Sequence, residues 1–188
     1  ADNGSIGREL WSTDGSGTGT VLVRDIFPGI SDILDTSNYS ENQPYFAGVT
    51  GGLIFTANSP IFSQEMWVSD GTSAGTNLLV DARVGPGYSY AQNAVAFNGK
   101  IYFSASSAYY GHELWSTDLS TGSTQQVIDI YPGAASGMDW NQYYGYPWYT
   151  QPKNMAVHNG RLYFTARTPT TGYELWSTDG TAAGTSLV

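Results

Sequence analysis

The chain has 188 residues, with 16 acidic and 7 basic side chains and a formal net charge of −9. An acidic balance without clusters of Lys or Arg argues against nucleic acids and anionic membrane surfaces as partners, because both bind basic patches. The absence of Cys excludes thiolate metal sites, disulfide bonds and Cys nucleophiles. The sequence contains no run of about 18 apolar residues, so no membrane-spanning helix is predicted.

A short motif recurs four times along the chain in a fixed phase. It consists of a Glu, an apolar residue and a Trp, and an Asp and a Thr follow this Trp after three and nine residues. The Glu and Trp positions are Glu9 and Trp11, Glu65 and Trp67, Glu113 and Trp115, and Glu174 and Trp176. Such a recurrence is typical of an array of equivalent supersecondary units, none of which buries its apolar face alone.

The repeat phase divides the array of residues 1–188 into a half unit at 1–29 and full units at 30–87, 88–133 and 134–188. Ala1 stands ten residues before Trp11, as Ala57 does before Trp67, so the half unit lacks the segments that open the others. The closing Asp of the last unit would be residue 190, two positions beyond Val188. We therefore expect a fragment of a longer array, or a chain that completes a ring with a second copy of itself.

Each full unit is predicted to hold four short β-strands. In the unit 88–133 the strands are expected at 94–97, 100–105, 113–117 and 125–129. The second of these segments alternates, with Ile101 and Phe103 on one face and Tyr102 and Ser104 on the other. This period of two indicates a pleated, half-buried strand, and no helical stripe competes with it.

Turn residues separate the predicted strands. Asp-Gly pairs at 14–15, 70–71 and 179–180 supply the positive φ that tight hairpins require. The pair Asn98-Gly99 is also typical of a turn. One copy departs, because it reads Asp118-Leu119-Ser120-Thr121-Gly122, and we expect a different turn type there. Pro-Gly pairs at 28–29, 86–87 and 132–133 mark the ends of units.

Four antiparallel strands in a unit of about fifty residues is the layout of a β-propeller blade. The predicted fold class is therefore all-β: a β-propeller-like array of four-stranded antiparallel blades, with about three and a half repeat units in this chain. A β-sandwich does not need a strict Trp phase, and an open β-solenoid needs shorter coils.

The recurring Glu and Trp residues are predicted to build the scaffold. One Trp in the same phase of every unit fits packing between adjacent blades. Each Glu lies two residues before its Trp and therefore on the same strand face, where a buried carboxylate needs donors such as backbone amides. Metal ligation is the alternative role for these Glu residues.

A second recurring carboxylate stands fourteen residues after the Trp. It is provided by Asp25, Asp81 and Asp129, each at the end of an apolar run. These groups fit three roles: solvated surface groups, turn caps, or ligands directed toward a shared axis. Calcium is the ion that such oxygen ligands favour, and the sequence suggests no other cofactor.

The segment 174–181, Glu-Leu-Trp-Ser-Thr-Asp-Gly-Thr, followed by Gly184-Thr185, resembles the ELWxxDGT repeat of large exported bacterial proteins. The resemblance covers essentially the whole chain, and its departures are Met66 for Leu, and Leu119 and Ser123 for Gly. It implies long, propeller-like arrays at or beyond the cell surface, usually without an assigned activity. Few charged residues, 23 Gly and 14 Tyr also fit an exported protein.

Positions outside the repeat phase are the better candidates for ligand binding, because the scaffold does not demand them. They concentrate between residues 138 and 152, where aromatic side chains stand among polar ones: Asp139, Trp140, Asn141, Tyr143, Tyr144, Tyr146, Trp148 and Tyr149. Flat apolar rings beside hydrogen-bonding groups suit a sugar ring or an extended polar chain. The alternative is that this aromatic segment covers an exposed edge or packs against a neighbouring unit.

Catalysis is not predicted. His112 and His158 stand at repeat positions where the other copies have different residue types. The five Arg residues do not share a repeat position either, so neither residue type marks a recurring catalytic site. We predict a non-enzymatic extracellular or cell-surface repeat protein for adhesion or surface assembly, with carbohydrate or an extracellular protein as its partner. The alternative is a propeller domain of a polysaccharide-active enzyme whose catalytic residues lie outside this segment.

Overall fold

A computed structural model of the chain describes residues 1, 3–33, 45–85, 87–138 and 155–188. Over these ranges the protein is all-β, with fourteen strands. No helix there has the length and apolar character needed to cross a membrane. The chain forms two compact units, Ala1–Ser89 and Tyr90–Val188.

The first compact unit contains a two-stranded sheet and a four-stranded sheet. The two-stranded sheet consists of β1 (Leu10–Ser12) and β2 (Val21–Arg24). The four-stranded sheet consists of β3 (Phe46–Val49), β4 (Gly52–Ala57), β5 (Glu65–Ser69) and β6 (Asn77–Val80), in that order. All pairings are antiparallel and join sequence neighbours.

The second compact unit contains two four-stranded sheets of the same kind. One consists of β7 (Gln92–Phe97), β8 (Lys100–Ser106), β9 (His112–Asp118) and β10 (Ser123–Ile128). The other consists of β11 (Ala156–His158), β12 (Arg161–Ala166), β13 (Glu174–Thr178) and β14 (Ser186–Leu187). The prediction of four antiparallel strands in each full unit is thus confirmed.

The twelve-residue spacing between Phe and Trp in the sequence is a cross-strand pairing in the structure. Phe55 lies opposite Trp67, Phe103 opposite Trp115, and Phe164 opposite Trp176. All three Phe side chains are buried, since β4, β8 and β12 are the inner strands of their sheets. Aromatic cross-strand pairs of this kind stabilise antiparallel sheets.

The same register extends to the first residue of the chain. Ala57 pairs with Glu65, and Ala105 with Glu113, at the end of their strands. Glu9 donates its N–H to the carbonyl oxygen of Ala1 at 3.0 Å, and the N-terminal ammonium of Ala1 donates to the carbonyl oxygen of Glu9 at 3.1 Å. Ala1 therefore has the place beside Glu9 that its repeat phase predicts.

The backbone conformation of the turns agrees with their Asn-Gly and Asp-Gly sequences. Asn98 and Gly99 have φ values of 47° and 73°, the left-handed pair of a type I′ hairpin. Gly15, Gly71 and Gly180 also have positive φ, directly after the Asp that opens each hairpin. In the departing copy the positive φ falls on Gly122 instead, at 70°, so this hairpin does differ from the others.

Each compact unit has its own apolar core. In the first, Leu10 and Val23 of the two-stranded sheet pack with Phe55 and Trp67 of the four-stranded sheet. In the second, Leu114 and Val127 pack with Leu162, Phe164 and Ala166, and Trp176 lies against the same cluster. Two sheets of adjacent repeats therefore share one core within each compact unit.

Candidate functional site

The recurring Glu forms a carboxylate clamp in three of the four copies. Glu9, Glu65 and Glu113 are buried, and each accepts hydrogen bonds from backbone N–H groups of the loop that follows the last strand of its sheet. The first donor stands seventeen residues after the Glu in every case. The clamp thus ties the motif strand to the loop that follows its sheet, and for Glu65 and Glu113 this includes a bond from the start of the next unit, at Ser89 and Gly137.

Glu113 shows the clamp in its fullest form. Its Oε2 accepts the N–H of Ile130 at 3.0 Å. Its Oε1 accepts the N–H groups of Tyr131 at 3.4 Å and Gly137 at 2.6 Å. A Cβ added to Gly137 would come within 2.6 Å of the carboxylate, so the loop approaches Glu113 closely because this residue is Gly.

The other two clamps use subsets of the same donor positions. Glu9 accepts the N–H of Ile26 at 2.9 Å and that of Phe27 at 3.2 Å. Glu65 accepts the N–H of Ala82 at 3.4 Å and that of Ser89 at 3.2 Å. Backbone amides supply the donors, which is the role that the sequence predicted for a buried carboxylate at this position.

Burial raises the pKa of each clamp carboxyl. The pKa values of Glu9 and Glu113 rise to about 7, and that of Glu65 rises to about 8. Loss of hydration is the largest cause, and the nearby Asp of the same repeat raises the pKa further. The bonds from the backbone amides act in the opposite direction, because they favour the ionised form.

The fourth copy of the motif has a different environment. Glu174 is exposed, and the apolar residue after it, Leu175, is 48% exposed.

The second recurring carboxylate lies beside the clamp. Asp25, Asp81 and Asp129 directly precede the first clamp donor, and in each the Oδ1 atom is buried without a hydrogen-bond partner among the described residues. The Oδ2 of Asp81 accepts the N–H of Gly85 at 3.3 Å, and that of Asp129 accepts the N–H of Gly133 at 3.1 Å. These two Asp residues therefore cap the turn that follows them.

Metal binding by these acids stays a prediction. Across the ranges that the structure describes, no three or more His, Asp or Glu side chains come together in an arrangement that would hold a metal ion. Each strand-end Asp lies near the Glu of its own repeat, which gives two carboxyl groups per repeat. Calcium usually takes six to eight oxygen ligands, so further donors would be needed.

The hairpin Asp residues stabilise their own turns. The Oδ1 of Asp14 accepts both the N–H and the Oγ–H of Ser16, at 2.8 and 2.7 Å, and Asp70 and Asp179 bond to Thr72 and Thr181 in the same way. These bonds lower the pKa of all four hairpin carboxyls, including that of Asp118. Their oxygens are engaged locally, as is typical of Asp in turns.

The four Trp side chains share a strand position but differ in the bond made by the indole N–H. Trp115 donates its Nε1–H to the carbonyl oxygen of Ala105 at 3.0 Å. The Nε1 atoms of Trp11, Trp67 and Trp176 are buried without a hydrogen-bond partner in the described ranges. Trp67 and Trp176 pack with the apolar cores, and Trp67, Trp115 and Trp176 each lie opposite a Phe of the neighbouring strand.

The aromatic segment predicted to bind ligand lies outside the described residues. This applies to Asp139, Trp140, Asn141, Tyr143, Tyr144, Tyr146, Trp148 and Tyr149. The residues just before it are described, and they are firmly attached to the second compact unit. Met138 forms a β-bridge with Ala166 and donates its N–H to the carbonyl oxygen of His112 at 2.8 Å.

An Arg side chain that the sequence did not indicate lies beside this attachment. The guanidinium of Arg167 stands over the rings of Tyr131 and Tyr173, with its Cζ 5.6 and 5.4 Å from their centroids. Its Nε–H bonds to the carbonyl oxygen of Ser136 at 3.0 Å. Arg167 has no counterpart in the repeat, since Asn58 and Ser106 hold its phase, and this departure was the signal available in the sequence.

A neighbouring loop completes this surface. Gly111 donates its N–H to the carbonyl oxygen of Gly133, and the N–H of His112 bonds to the Oγ of Ser136. Tyr109 and Tyr110 directly precede Gly111 in this loop, and Tyr109 is 81% exposed. We use the name tyrosine-arginine surface for the cluster of Tyr131, Arg167 and Tyr173 together with Tyr109 and Tyr110 of the loop that is bonded to Gly133 and Ser136.

The two His residues lie in different sheets of the second compact unit. His112 is fully buried, and its Nδ1 lies 3.1 Å from the Oγ of Ser106. His158 lies on the outer strand β11, where its ring is 6.5 Å from that of Tyr163.

No protein-family model and no curated protein matches this chain. Solved structures with a similar fold include puromycin hydrolase, at 16% identity and a TM-score of 0.48 over 78% of this chain, and a mutant of the same protein complexed with PGG, at 14% identity and 0.48 over 77%. TolB from Acinetobacter baumannii is similar at 12% identity and 0.46 over 91%. The alignments cover 20% of each puromycin hydrolase chain and 35% of the TolB chain.

Proposed function

We propose that this chain is a non-enzymatic, β-propeller-like repeat scaffold of an exported bacterial protein, which binds or assembles through loops outside its repeat phase. The observation that carries the proposal is the carboxylate clamp, which occurs in three repeats. Buried carboxyls with raised pKa values are candidates for acid-base catalysis. Here the same group recurs in successive repeats, each time bonded to backbone N–H groups of the loop that follows its own sheet, which is the behaviour of a structural element.

The propeller-like arrangement is part of the proposal. It is supported by four-stranded antiparallel sheets in which every strand pairs with its sequence neighbour. It is also supported by the shared core in each compact unit, to which residues of two successive sheets contribute. Blades of a propeller pack face to face in this way.

We further propose carbohydrate as the ligand class. The tyrosine-arginine surface presents aromatic rings with polar tips beside a cationic group, which suits stacking on sugar rings together with hydrogen bonding. Met138, the last described residue before the aromatic segment, is attached to the strand that leads to Arg167.

Affinity electrophoresis of the full chain in gels that contain soluble polysaccharides tests the proposal. We expect at least one polysaccharide to retard the native chain and Trp140→Ala, Trp148→Ala or Tyr109→Ala to reduce the retardation. The matched control is Ile61→Ser, at an apolar position of the first compact unit that is 74% exposed. Equal retardation of all variants would contradict binding at this surface, and retardation by no polysaccharide would remove the carbohydrate proposal in favour of a protein partner.

A further inference from the structure

Three loops of the second compact unit supply the tyrosine-arginine surface, and they carry a single charge. They are residues 107–111 between β8 and β9, residues 131–137 after β10, and residues 167–173 between β12 and β13. Arg167 is the one acidic or basic residue in these three stretches. The chain as a whole has a net charge of −9, so the charge of this surface is opposite in sign to that of the molecule.

The acidic residues closest in sequence to the loop after β10 are turned to its backbone. Glu113 is buried and accepts three backbone N–H groups. The Oδ1 atom of Asp129 is buried, and its Oδ2 accepts the N–H of Gly133 at 3.1 Å. Arg167 forms no ion pair with any residue that the structure describes. Its positive charge is thus left for a group from outside these loops.

The guanidinium of Arg167 is held in a fixed orientation. Its Nε–H bonds to the carbonyl oxygen of Ser136 at 3.0 Å, and its Cζ lies 5.6 Å from the centroid of the Tyr131 ring. The backbone N–H of Arg167 bonds to the carbonyl oxygen of Gly137 at 2.8 Å. Within the described ranges the two terminal nitrogens of the guanidinium make no hydrogen bond. A ligand that binds them does not have to order the side chain first.

An exposed aromatic ring is held on the neighbouring loop. The Oγ of Ser107 accepts the N–H groups of Tyr109 at 3.3 Å and Tyr110 at 2.9 Å, which fixes the turn. A Cβ added to Gly111 would lie 2.2 Å from the carbonyl oxygen of Ala135, so this loop is in close contact with the loop that holds Arg167. Tyr109, which is 81% exposed, is therefore presented by a rigid turn.

We propose that the tyrosine-arginine surface binds an acidic polysaccharide, a polymer of uronic acid residues, and that Arg167 binds its carboxylate. The proposal rests on the carbohydrate binding proposed above and adds the chemical class of the sugar. Two parallel N–H groups of a guanidinium match the two oxygens of a carboxylate, and this planar fork distinguishes Arg from Lys. A uronic acid carries its carboxylate directly on the sugar ring, so one residue offers both a ring face for a Tyr and an anion for Arg167.

Affinity electrophoresis of the full chain tests the proposal with three polymers: polygalacturonate, its methyl ester and dextran sulfate. The methyl ester keeps the sugar ring but removes the charge, so it is the matched ligand control. We expect the dissociation constant, taken from mobility against polymer concentration, to be about tenfold lower for polygalacturonate than for the ester. A hydrogen-bonded charge contributes on this scale.

Arg167→Gln should remove this preference for the acid. Arg83→Gln is the matched protein control, because Arg83 is exposed, lies in the first compact unit and gives the same change in net charge. Tyr109→Ala should weaken binding of the acid and the ester alike, since it removes a ring and no charge. Circular dichroism checks that the variants fold, and the comparison of acid with ester on the native chain does not depend on them.

Equal retardation by polygalacturonate and its ester would overturn the proposal and leave carbohydrate binding in place. Retardation by none of these polymers would overturn it too, and the wider polysaccharide series then decides the proposed function. Tighter binding of dextran sulfate that Arg167→Gln and Arg83→Gln change equally would show general attraction of polyanions, and would also overturn the assignment to Arg167.

Discussion

Raising the pH from 5 to 8 is expected to destabilise the second compact unit through the Glu113 carboxyl. The folded state holds the proton of this group up to about pH 7, whereas the unfolded chain releases it near pH 4.5. Between these values the folded state binds more protons than the unfolded state, so the free energy of unfolding falls as the pH rises. The contribution is complete below pH 4.5 and is lost as the pH rises through about 7.

The two pKa values set the size of the effect. Each pH unit between them is equivalent to about 1.4 kcal/mol, which limits the contribution of Glu113 to about 3 kcal/mol. Proteins typically have an unfolding free energy of roughly 5 to 15 kcal/mol, so a loss of about 3 kcal/mol is a large share of it. Glu9 and Glu65 act in the same direction in the first compact unit, because burial raises their pKa values too.

Urea unfolding of the wild-type chain and of Glu113→Gln, at intervals from pH 5 to pH 8, measures this contribution. Gln cannot titrate, so the unfolding free energy of the wild type minus that of Glu113→Gln should fall by up to about 3 kcal/mol over this range. Leu114→Ala is the matched control, since it removes a buried side chain next to Glu113 without removing a titrating group. It should lower stability by about 2 to 5 kcal/mol at every pH. A constant difference between wild type and Glu113→Gln would refute the reasoning.

Three further outcomes are expected. Trp115→Phe should reduce the free energy of unfolding by about 1 kcal/mol more than Phe at the other Trp positions, because it also removes the indole bond to Ala105, and thermal melts compare the variants. Gly19→Ala should lower the melting temperature, because its Cβ would lie 2.0 to 2.2 Å from the Asp14 carboxylate, whereas Gly17→Ala meets open space and should be neutral. If the strand-end Asp residues hold calcium, a chelator should lower the unfolding midpoint, and an unchanged midpoint would contradict that prediction.

The strands and their pairing were predictable because they depend on local patterns. The alternation around Phe103 indicates a strand, and the Asn98-Gly99 pair fixes the hairpin before it. The recurrence of Phe and Trp at a spacing of twelve residues also contained the register, since a constant spacing across the loop between the two strands keeps the same partners opposite each other.

The environments of the side chains were less accessible to sequence reasoning. The four Glu residues hold the same repeat position, yet Glu174 is exposed while Glu113 is buried against backbone donors that stand 17 to 24 residues after it. The stacking of Arg167 between Tyr131 and Tyr173 joins residues that are 36 and 6 positions away in the sequence. No periodicity connects such positions, since they come together through loops that the repeat does not specify.

The pairing of every strand with its nearest neighbour in sequence has a consequence for how the molecule folds. Each clamp joins positions seventeen to twenty-four residues apart, so every sheet and its closing loop form from one short stretch of chain. Contacts of low sequence separation cost little loop entropy, and we expect rapid assembly for an all-β protein. Duplication of one such stretch within the gene would add a sheet without changing the partners of any existing strand.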